Sequence, residues 1–338
     1  MGKTVFKITD YIEFDLKWEE EQCAKLGVDF SYYQLKTAPP DEIIKNVKDA
    51  DFLLVNMAKM TPEVMAGLDN VKVIIRHGIG YDNLDLPSAT ENGIICANQP
   101  TASSEDVAEQ AIMLMLAVYR KINIQRSILK TSIENNKWMF DPIFPVYRMG
   151  GKTLGIIGCG NIGSIVLRKM RTFGMRILVD DPYLPEERLR ELGIEHTPLE
   201  EILKESDIVT IHVPVTDETR GMFNEERFRM MKKSAILINT ARGPIVKADD
   251  LARILKEGIV AGAGIDVYDT EPPSSGYPLL GMDNVVLTPH LSWYSEEGGM
   301  DIRHMIIDDL KTFLDGKPPK SVINPGVFES PKLKMKIH

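Results

Sequence analysis

The chain has 338 residues, which at roughly 150 residues per domain predicts two domains. Apolar residues make up 43% of it and charged residues 26%, a balance that excludes a disordered or collagen-like chain. Forty basic and 49 acidic residues give a net charge of −9, and no Lys/Arg-rich run is present, so we expect no nucleic-acid partner.

Cysteine usage and hydropathy favour a cytoplasmic protein. Cys23, Cys96 and Cys159 are odd in number and far apart, which predicts neither a disulfide framework nor a metal site. The chain enters its first predicted strand without a charged-then-apolar leader. Its longest apolar run, from Ala111 to Tyr119, is under half of the ~20 residues that a membrane span needs, so no membrane contact is expected.

In the first part of the chain, short apolar runs alternate with helical periods. This alternation is typical of βαβ units and a parallel sheet. Strands are predicted at 5–8, 29–35, 52–56 and 71–76, with helices at 14–26, 42–47 and 62–68 between them. One long helix is predicted from 103 to about 130, followed by an irregular connector over 131–150.

A second alternating series begins at Lys152. Strands are predicted at 153–157, 176–179, 207–213, 235–239, 262–267 and 285–288, with helices such as 162–173 and 249–256 between them. Six strands with crossovers indicate a doubly wound dinucleotide-binding sheet. A last helix is predicted over 295–314, and we expect the tail to finish on the first domain.

A glycine-rich motif, G-x-G-x-x-G, follows the first strand of the second series and opens a helix, which is the context that dinucleotide binding requires. Gly158 is expected to make the tight turn, Gly160 to let the pyrophosphate approach the backbone, and Gly163 to let helix and strand pack closely. The helix N-terminus, at Asn161 and Ile162, supplies amide groups and partial positive charge.

An acidic residue is expected to end the next strand, about 20 residues further on. Asp181 lies eighteen residues past Gly163, beside Asp180. A carboxylate there accepts hydrogen bonds from ribose hydroxyls and repels a 2′-phosphate, so the sequence favours NAD over NADP.

Three further stretches each end a predicted strand, where doubly wound folds place their ligands. They contribute one arginine, one glutamate and one histidine: Arg242, Glu271 and His290. A planar guanidinium binds a carboxylate with two parallel hydrogen bonds. A carboxylate beside an imidazole favours the protonated ring, which is then an acid able to protonate a carbonyl oxygen.

With these motifs the sequence resembles the D-isomer-specific 2-hydroxyacid dehydrogenase family over nearly its whole length. The resemblance also depends on the Arg76–Asn83 segment R-H-G-I-G-Y-D-N, on Val107-Ala108-Glu109 and on His212-Val213-Pro214. The His290–Glu297 segment most resembles the branch of C-terminal-binding proteins, which is related to phosphoglycerate dehydrogenase. This branch includes both dehydrogenases and NADH-sensing corepressors.

The resemblance implies a role for each matching residue. Arg242 is expected to bind the carboxylate of a 2-oxo acid, His290 to be the proton donor and acceptor, and Glu271 to hold His290. The substrate is expected to contact Arg76, Ile79, Gly80 and Trp293. The cofactor is expected to contact the glycine loop and Asp181, and in addition Val213, Pro214, Thr219, Thr240, Ala241 and, at the nicotinamide, Asp266.

The resemblance also implies a fold of two Rossmann-like, doubly wound parallel-sheet domains separated by a cleft. A flavodoxin-like substrate domain is expected at 1–98 plus 299–338, an NAD-binding domain at 99–298, and a homodimer through the latter. The function implied is hydride transfer between NAD(H) and a 2-oxo or D-2-hydroxy acid. The alternative is an NAD(H)-sensing, protein-binding dimer of corepressor type; the lack of a long interaction tail in this sequence favours the enzyme.

Overall fold

The computed structural model describes residues 2–140 and 143–337. The chain divides into two compact units, Met1–Ser103 with Ser295–His338, and Ser104–Tyr294. Within the described residues, no helix combines the length and the apolar character needed to cross a membrane.

The first unit is built on a five-stranded parallel sheet in the order β2-β1-β3-β4-β5. Its central strands are apolar and buried, as expected for a parallel sheet covered by helices on both faces. Its elements in chain order are β1 (Val5–Ile8), α1 (Lys17–Leu26), β2 (Asp29–Tyr32), α2 (Pro40–Val47), β3 (Phe52–Val55), α3 (Pro62–Ala66), β4 (Val73–Arg76), α4 (Leu86–Glu91) and β5 (Ile95–Ala97).

The second unit begins with two helices and continues into the predicted six-stranded sheet. All its strand pairs are parallel, in the order β11-β10-β9-β8-β6-β7. Its elements are α5 (Ser104–Tyr119), α6 (Ile122–Glu134), β6 (Thr153–Ile157), α7 (Asn161–Arg171), β7 (Arg176–Asp180), α8 (Glu186–Leu192), α9 (Leu199–Glu205), β8 (Ile208–Ile211), α10 (Glu225–Phe228), β9 (Ile236–Asn239), α11 (Ala248–Lys256), β10 (Gly262–Ile265) and β11 (Val285–Leu287).

The end of the chain returns to the first unit, as predicted. Helix α12 (Glu296–Leu314) is capped by Ser295, whose hydroxyl accepts a hydrogen bond from the amide of Gly298 at 2.8 Å. The Phe313 ring packs 5.5 Å from that of Phe52 in the core. In the tail, the Asn324 side chain accepts from the Cys96 amide at 2.8 Å, which fixes the tail beside β5.

The single helix predicted from 103 to about 130 is wrong. The structure has two helices there, because Lys121 adopts a left-handed backbone conformation with φ 56°. Helix α6 then continues to Glu134, so the irregular connector begins later than predicted, and its residues 141 and 142 lie outside the described part of the chain. The spacing of apolar residues did not reveal this break, because a single left-handed residue ends one helix and begins the next without interrupting that spacing.

Candidate active site

The strand order of the second unit creates a topological switch point between β6 and β8. The chain leaves β6 toward β7 on one side, and all later strands are added on the other side. In doubly wound folds the crevice at the carboxyl ends of such strands is where ligands bind. The glycine-rich loop follows β6, and the segment His212–Pro214 follows β8, so both lie at this switch point.

Each of the three glycines in the loop meets a different steric demand. Gly158 has φ 87°, and a Cβ atom there would lie 2.7 Å from a Val213 methyl group. A Cβ atom on Gly163 would lie 2.1 Å from the Gly158 carbonyl oxygen, so helix and loop pack as closely as predicted. Gly160 faces open space and caps α7 without a side chain, which leaves room for a phosphate at the helix N-terminus.

The Asp181 carboxylate lies directly beside this loop. One of its oxygens accepts a hydrogen bond from the Cys159 amide at 2.8 Å, and the other accepts from the Tyr183 amide at 3.2 Å. The neighbouring Asp180 pairs instead with His196, at 3.0 Å. Asp181 is therefore the carboxylate held at the glycine-rich loop, where the ribose contact was predicted.

Orphaned polar atoms mark the same region as one built for a bound group. The Thr240 hydroxyl and Nδ1 of His212 are buried and find no hydrogen-bond partner among the described residues. Such atoms are rare in folded proteins unless a ligand or water satisfies them. Together with the space at Gly160 and the carboxylate of Asp181, they fit a dinucleotide.

The remaining predicted cofactor residues lie in turns after β8 and β9. The Thr219 hydroxyl donates to the Pro214 carbonyl at 2.6 Å, which closes the turn after Val213. Ala241 donates its amide to the Asn239 side chain at 3.0 Å. These turns are tightly bonded within themselves, and their contacts with the cofactor stay predictions.

The structure brings the three predicted catalytic residues together at the ends of β9, β10 and β11. Nδ1 of His290 lies 2.7 Å from Oε2 of Glu271, and the other Glu271 oxygen accepts from the Tyr268 amide at 3.1 Å. Burial raises the pKa of Glu271, but the bond to His290, its charge, the Tyr268 amide and the charge of Arg242 together lower it below its ordinary value. Glu271 therefore stays ionised between a histidine and an arginine.

Close packing brings the arginine loop against the glutamate loop. A Cβ atom on Gly243 would lie 2.0 Å from the carbonyl carbon of Tyr268, so only glycine fits after Arg242. The buried Asn239 side chain braces the same loop, since its amide donates to the Arg242 carbonyl at 2.9 Å.

His290 is held in a backbone conformation that non-glycine residues seldom adopt, with φ 55°. The fully buried Asp266 fixes this loop, because its carboxylate accepts from the amides of Leu291 at 3.3 Å and Ser292 at 3.1 Å, and from the Thr288 hydroxyl. Backbone strain of this kind persists only where the surroundings determine it, and it is common at functional sites. The predicted contact of Asp266 with the nicotinamide remains a prediction.

Trp293 lies three residues beyond His290 and is half-buried, and its ring packs edge-on against Tyr294 at 5.3 Å. The other predicted substrate residues, Arg76, Ile79 and Gly80, belong to the first unit, where they lie at and beyond the end of β4. None of these four substrate contacts has been tested, and they stay predictions.

The loop that carries Ile79 and Gly80 presents amide groups rather than carbonyl oxygens. The carbonyl of Gly78 accepts from the Gln99 amide at 3.0 Å, and that of Ile79 accepts from the Asn98 side chain at 2.6 Å. The amides of Ile79 and Gly80 have no acceptor among the described residues. Two successive amides without an acceptor are free to donate hydrogen bonds to an anion such as a carboxylate.

Sequence reasoning missed the residues that hold the site in place. Asn239 was not singled out, although a polar residue at the end of a buried strand was an available signal. Asp266 was found, but its bonds to the His290 loop were not, because the pattern says nothing of partners 22 to 26 residues away.

These features define the chain as a dinucleotide-binding α/β protein with an arginine, a glutamate and a histidine that follow neighbouring strands of the same sheet. Residues 112–292 match the family model of the D-isomer-specific 2-hydroxyacid dehydrogenase NAD-binding domain. This stretch is more than half of the chain, and the chain therefore belongs to the D-isomer-specific 2-hydroxyacid dehydrogenase family.

Known relatives agree with this assignment. A glyoxylate reductase of Korarchaeum cryptofilum is 37% identical over 96% of this chain and 93% of its own length. A D-3-phosphoglycerate dehydrogenase of Methanocaldococcus jannaschii is 39% identical over 87% of this chain, which spans only 55% of that protein. The crystal structure of D-lactate dehydrogenase from Aquifex aeolicus, complexed with NAD and lactic acid, has a TM-score of 0.82 and 29% identity, covering 94% of this chain and 99% of that one.

The predicted fold of two Rossmann-like parallel-sheet domains and the predicted enzyme class are thus confirmed. The chain is an NAD-dependent 2-hydroxyacid dehydrogenase. The assignment of substrate binding to the first unit and of cofactor binding at individual residues remains a prediction.

Proposed function

We propose that this enzyme interconverts a 2-oxo acid and the D-2-hydroxy acid, with His290 as the proton donor and acceptor, Arg242 as the carboxylate-binding residue and Glu271 as the partner that holds His290. The observation that supports this proposal most directly is the 2.7 Å bond from Nδ1 of His290 to Glu271, together with the effect of the Arg242 charge on that glutamate.

His290 suits proton transfer in both position and access. Its Nδ1 is occupied by Glu271, which leaves Nε2 for the substrate oxygen, and a third of the side chain (33%) is exposed to solvent. The ionised Glu271 holds the imidazole in position, and the proton that Nε2 carries to the substrate stabilises negative charge as it develops on the carbonyl oxygen. Bound NADH supplies the hydride that the carbonyl carbon accepts.

Arg242 is proposed to orient the substrate before the transfer. Its guanidinium can grip the carboxylate with two parallel hydrogen bonds, and a fixed carboxylate fixes the direction of the neighbouring carbonyl. The braced loop at Asn239 and Gly243 keeps this arginine in place. We further propose that the amides of Ile79 and Gly80 and the Arg76 and Trp293 side chains contact the substrate.

The proposed cofactor is NAD(H) in preference to NADP(H), because Asp181 at the glycine-rich loop repels a 2′-phosphate. The corepressor-type alternative is not favoured, since the relatives are reductases and dehydrogenases. The names of the relatives leave the side chain of the substrate open between glyoxylate, phosphoglycerate and lactate chemistry.

A homodimer formed through the second unit is also proposed. An apolar groove of about 760 Å³ lies on its surface between α5 and α7, lined by residues that include Ile112, Met113, Leu116 and Phe173. Met113 and Phe173 are each 40% exposed in the single chain. Exposed apolar patches of this kind mark protein interfaces.

A cytoplasmic location is proposed as well. The three buried free cysteines accord with a reducing compartment as the location of the protein.

The direct test is oxidation of NADH, and separately of NADPH, with glyoxylate, pyruvate and other 2-oxo acids, and reduction of NAD with D-3-phosphoglycerate. We expect turnover with at least one of these acids and a higher kcat/KM with NADH than with NADPH. Absence of turnover with every acid and both cofactors would refute the proposed function.

A further inference from the structure

A buried pair of a histidine and a glutamate in the first unit lies outside the predicted site residues. Nε2 of His77 is 2.6 Å from Oε1 of Glu13, and the two side chains are only 6% and 14% exposed. Burial alone raises the pKa of Glu13, but the hydrogen bond from His77 and its charge lower it to about 2. The Glu13 carboxyl group is therefore ionised at neutral pH.

The pair joins two loops that the sheet does not otherwise connect. Glu13 lies in the loop after β1, and His77 begins the loop after β4. Strand β3 separates these two strands in the sheet. The bond therefore reaches across the carboxyl end of β3 and fixes one end of the loop that carries Ile79 and Gly80.

The backbone of His77 holds the neighbouring arginine as well. Its amide donates to the Val55 carbonyl at 2.8 Å, and its carbonyl oxygen accepts a hydrogen bond from Nη1 of Arg76. Fixing the His77 ring therefore also fixes the carbonyl against which the Arg76 guanidinium lies. Contacts thus run from Glu13 to His77 and from His77 to Arg76. The amides of Ile79 and Gly80 follow in the same loop, directly after Gly78.

We propose that Glu13 and His77 are positioning residues for the substrate: the hydrogen bond between them sets the Arg76–Gly80 loop in the arrangement that binds the 2-oxo acid. This inference rests on the proposed function, because it takes the amides of Ile79 and Gly80 and the Arg76 guanidinium to contact the substrate. Neither Glu13 nor the His77 side chain needs to touch the substrate itself. Their loss weakens substrate binding through the loop.

The same unit contains a second buried glutamate pair that provides a matched control. Glu19 in α1 binds Arg303 in α12 through two hydrogen bonds of 2.5 Å, and its side chain is 6% exposed. This pair joins two helices and contacts none of the residues proposed to bind substrate. Loss of Glu19 therefore removes a buried ion pair while the bond between Glu13 and His77 stays in place, and Arg303 keeps its contact with the Asp15 carbonyl in the loop of Glu13.

The experiment compares Glu13→Ala, Glu13→Gln and Glu19→Ala with the wild-type enzyme, using the 2-oxo acid that the substrate panel identifies. KM for that acid and kcat are measured at saturating NADH, together with Tm. In Glu13→Ala we expect KM for the 2-oxo acid to rise about tenfold, because small displacements of binding groups weaken contacts strongly, with kcat within about threefold of wild type. Glu13→Gln keeps an acceptor oxygen, so its KM should lie between those of the wild-type enzyme and Glu13→Ala.

Glu19→Ala is expected to lower Tm at least as much as Glu13→Ala but to leave KM near the wild-type value. The positioning role is refuted if Glu13→Ala and Glu19→Ala change KM equally, or if Glu13→Ala does not change KM. Turnover by the wild-type enzyme would then still support the proposed function. If Glu13→Ala does not fold, His77→Gln and Glu13→Gln provide the comparison, and an unchanged KM in both overturns the proposal.

Discussion

At the scale of single residues, the site depends on buried polar side chains that hold loops. Asp266 binds the loop that places His290 in its left-handed conformation, and Asn239 binds the loop that carries Arg242. Asp181, which is only partly buried, holds the glycine-rich loop through the Cys159 amide. Removing a partner from a buried polar group is costly, so these contacts keep the reacting groups in one geometry.

Asp181 allows a test of cofactor choice at this scale. In Asp181→Asn the amide oxygen still accepts from the Cys159 amide, while the bond from the Tyr183 amide is lost and the charge that repels a 2′-phosphate is gone. We expect the ratio of kcat/KM with NADPH to that with NADH to rise about tenfold, as expected for one charge at a partly exposed site. Initial rates with the two cofactors measure it.

The control is Asp180→Asn, which removes the neighbouring carboxylate. Asp180 pairs with His196 and makes no side-chain bond to the glycine-rich loop among the described residues. Its cofactor ratio should stay close to that of wild type. An equal change in both variants would show that net charge in the region, and not the position of Asp181, decides the preference.

The sequence predicted the residues that carry chemistry better than those that support them. Arg242, Glu271 and His290 each follow a predicted strand, and strand ends of a parallel sheet meet at one edge, so their convergence could be expected. The Glu13–His77 pair could not, because its partners are 64 residues apart and lie in loops that follow strands which are not neighbours. Local patterns carry no information on such pairs.

At the scale of elements, apolar periodicity located strands and most helices but not their interruptions. The left-handed Lys121 divides the predicted helix into α5 and α6, and this turn has no glycine or proline to signal it. Because of this division, α6 is a separate helix, and it exposes apolar side chains such as Leu129 and Ile133 on the surface. Exposed apolar side chains thus occur on both helices at the start of the second unit.

The groove between α5 and α7 gives the prediction for this scale. In Met113→Glu a charge enters the apolar groove, and burying it in an interface without a partner is unfavourable. We expect the variant to be monomeric at concentrations where the wild-type protein is a dimer. Light scattering coupled to size-exclusion chromatography measures the mass of both.

Leu280→Glu is the matched control, since Leu280 is 61% exposed on the same unit and does not line the groove. It should remain dimeric. A monomeric wild-type protein, or a dimeric Met113→Glu variant, would exclude this groove as the dimer interface.

At the scale of the whole molecule, two parallel sheets of five and six strands follow each other in one chain, and the last helix returns to the first. The alternation of strands and helices predicted both sheets except for the fifth strand of the first one, β5, which was not predicted, and the tail was expected on the first unit. The strand order could be anticipated only as a doubly wound type, because neighbours in the sheet depend on tertiary packing and not on local propensity.

The central claim is that His290, held by Glu271, transfers the proton while the 2-oxo acid is reduced. Its most direct test is kcat of His290→Ala with the best 2-oxo acid, measured beside the binding constant of NADH from fluorescence. His196→Ala is the control, because His196 is a histidine of the same unit that pairs with Asp180 away from the catalytic three.

In His290→Ala we predict that kcat falls by about 10²–10⁴-fold, the usual loss when a general acid is removed, while NADH binds as in wild type. His196→Ala should keep its kcat. A kcat for His290→Ala within about threefold of wild type would contradict the account, since proton transfer would then not depend on this imidazole.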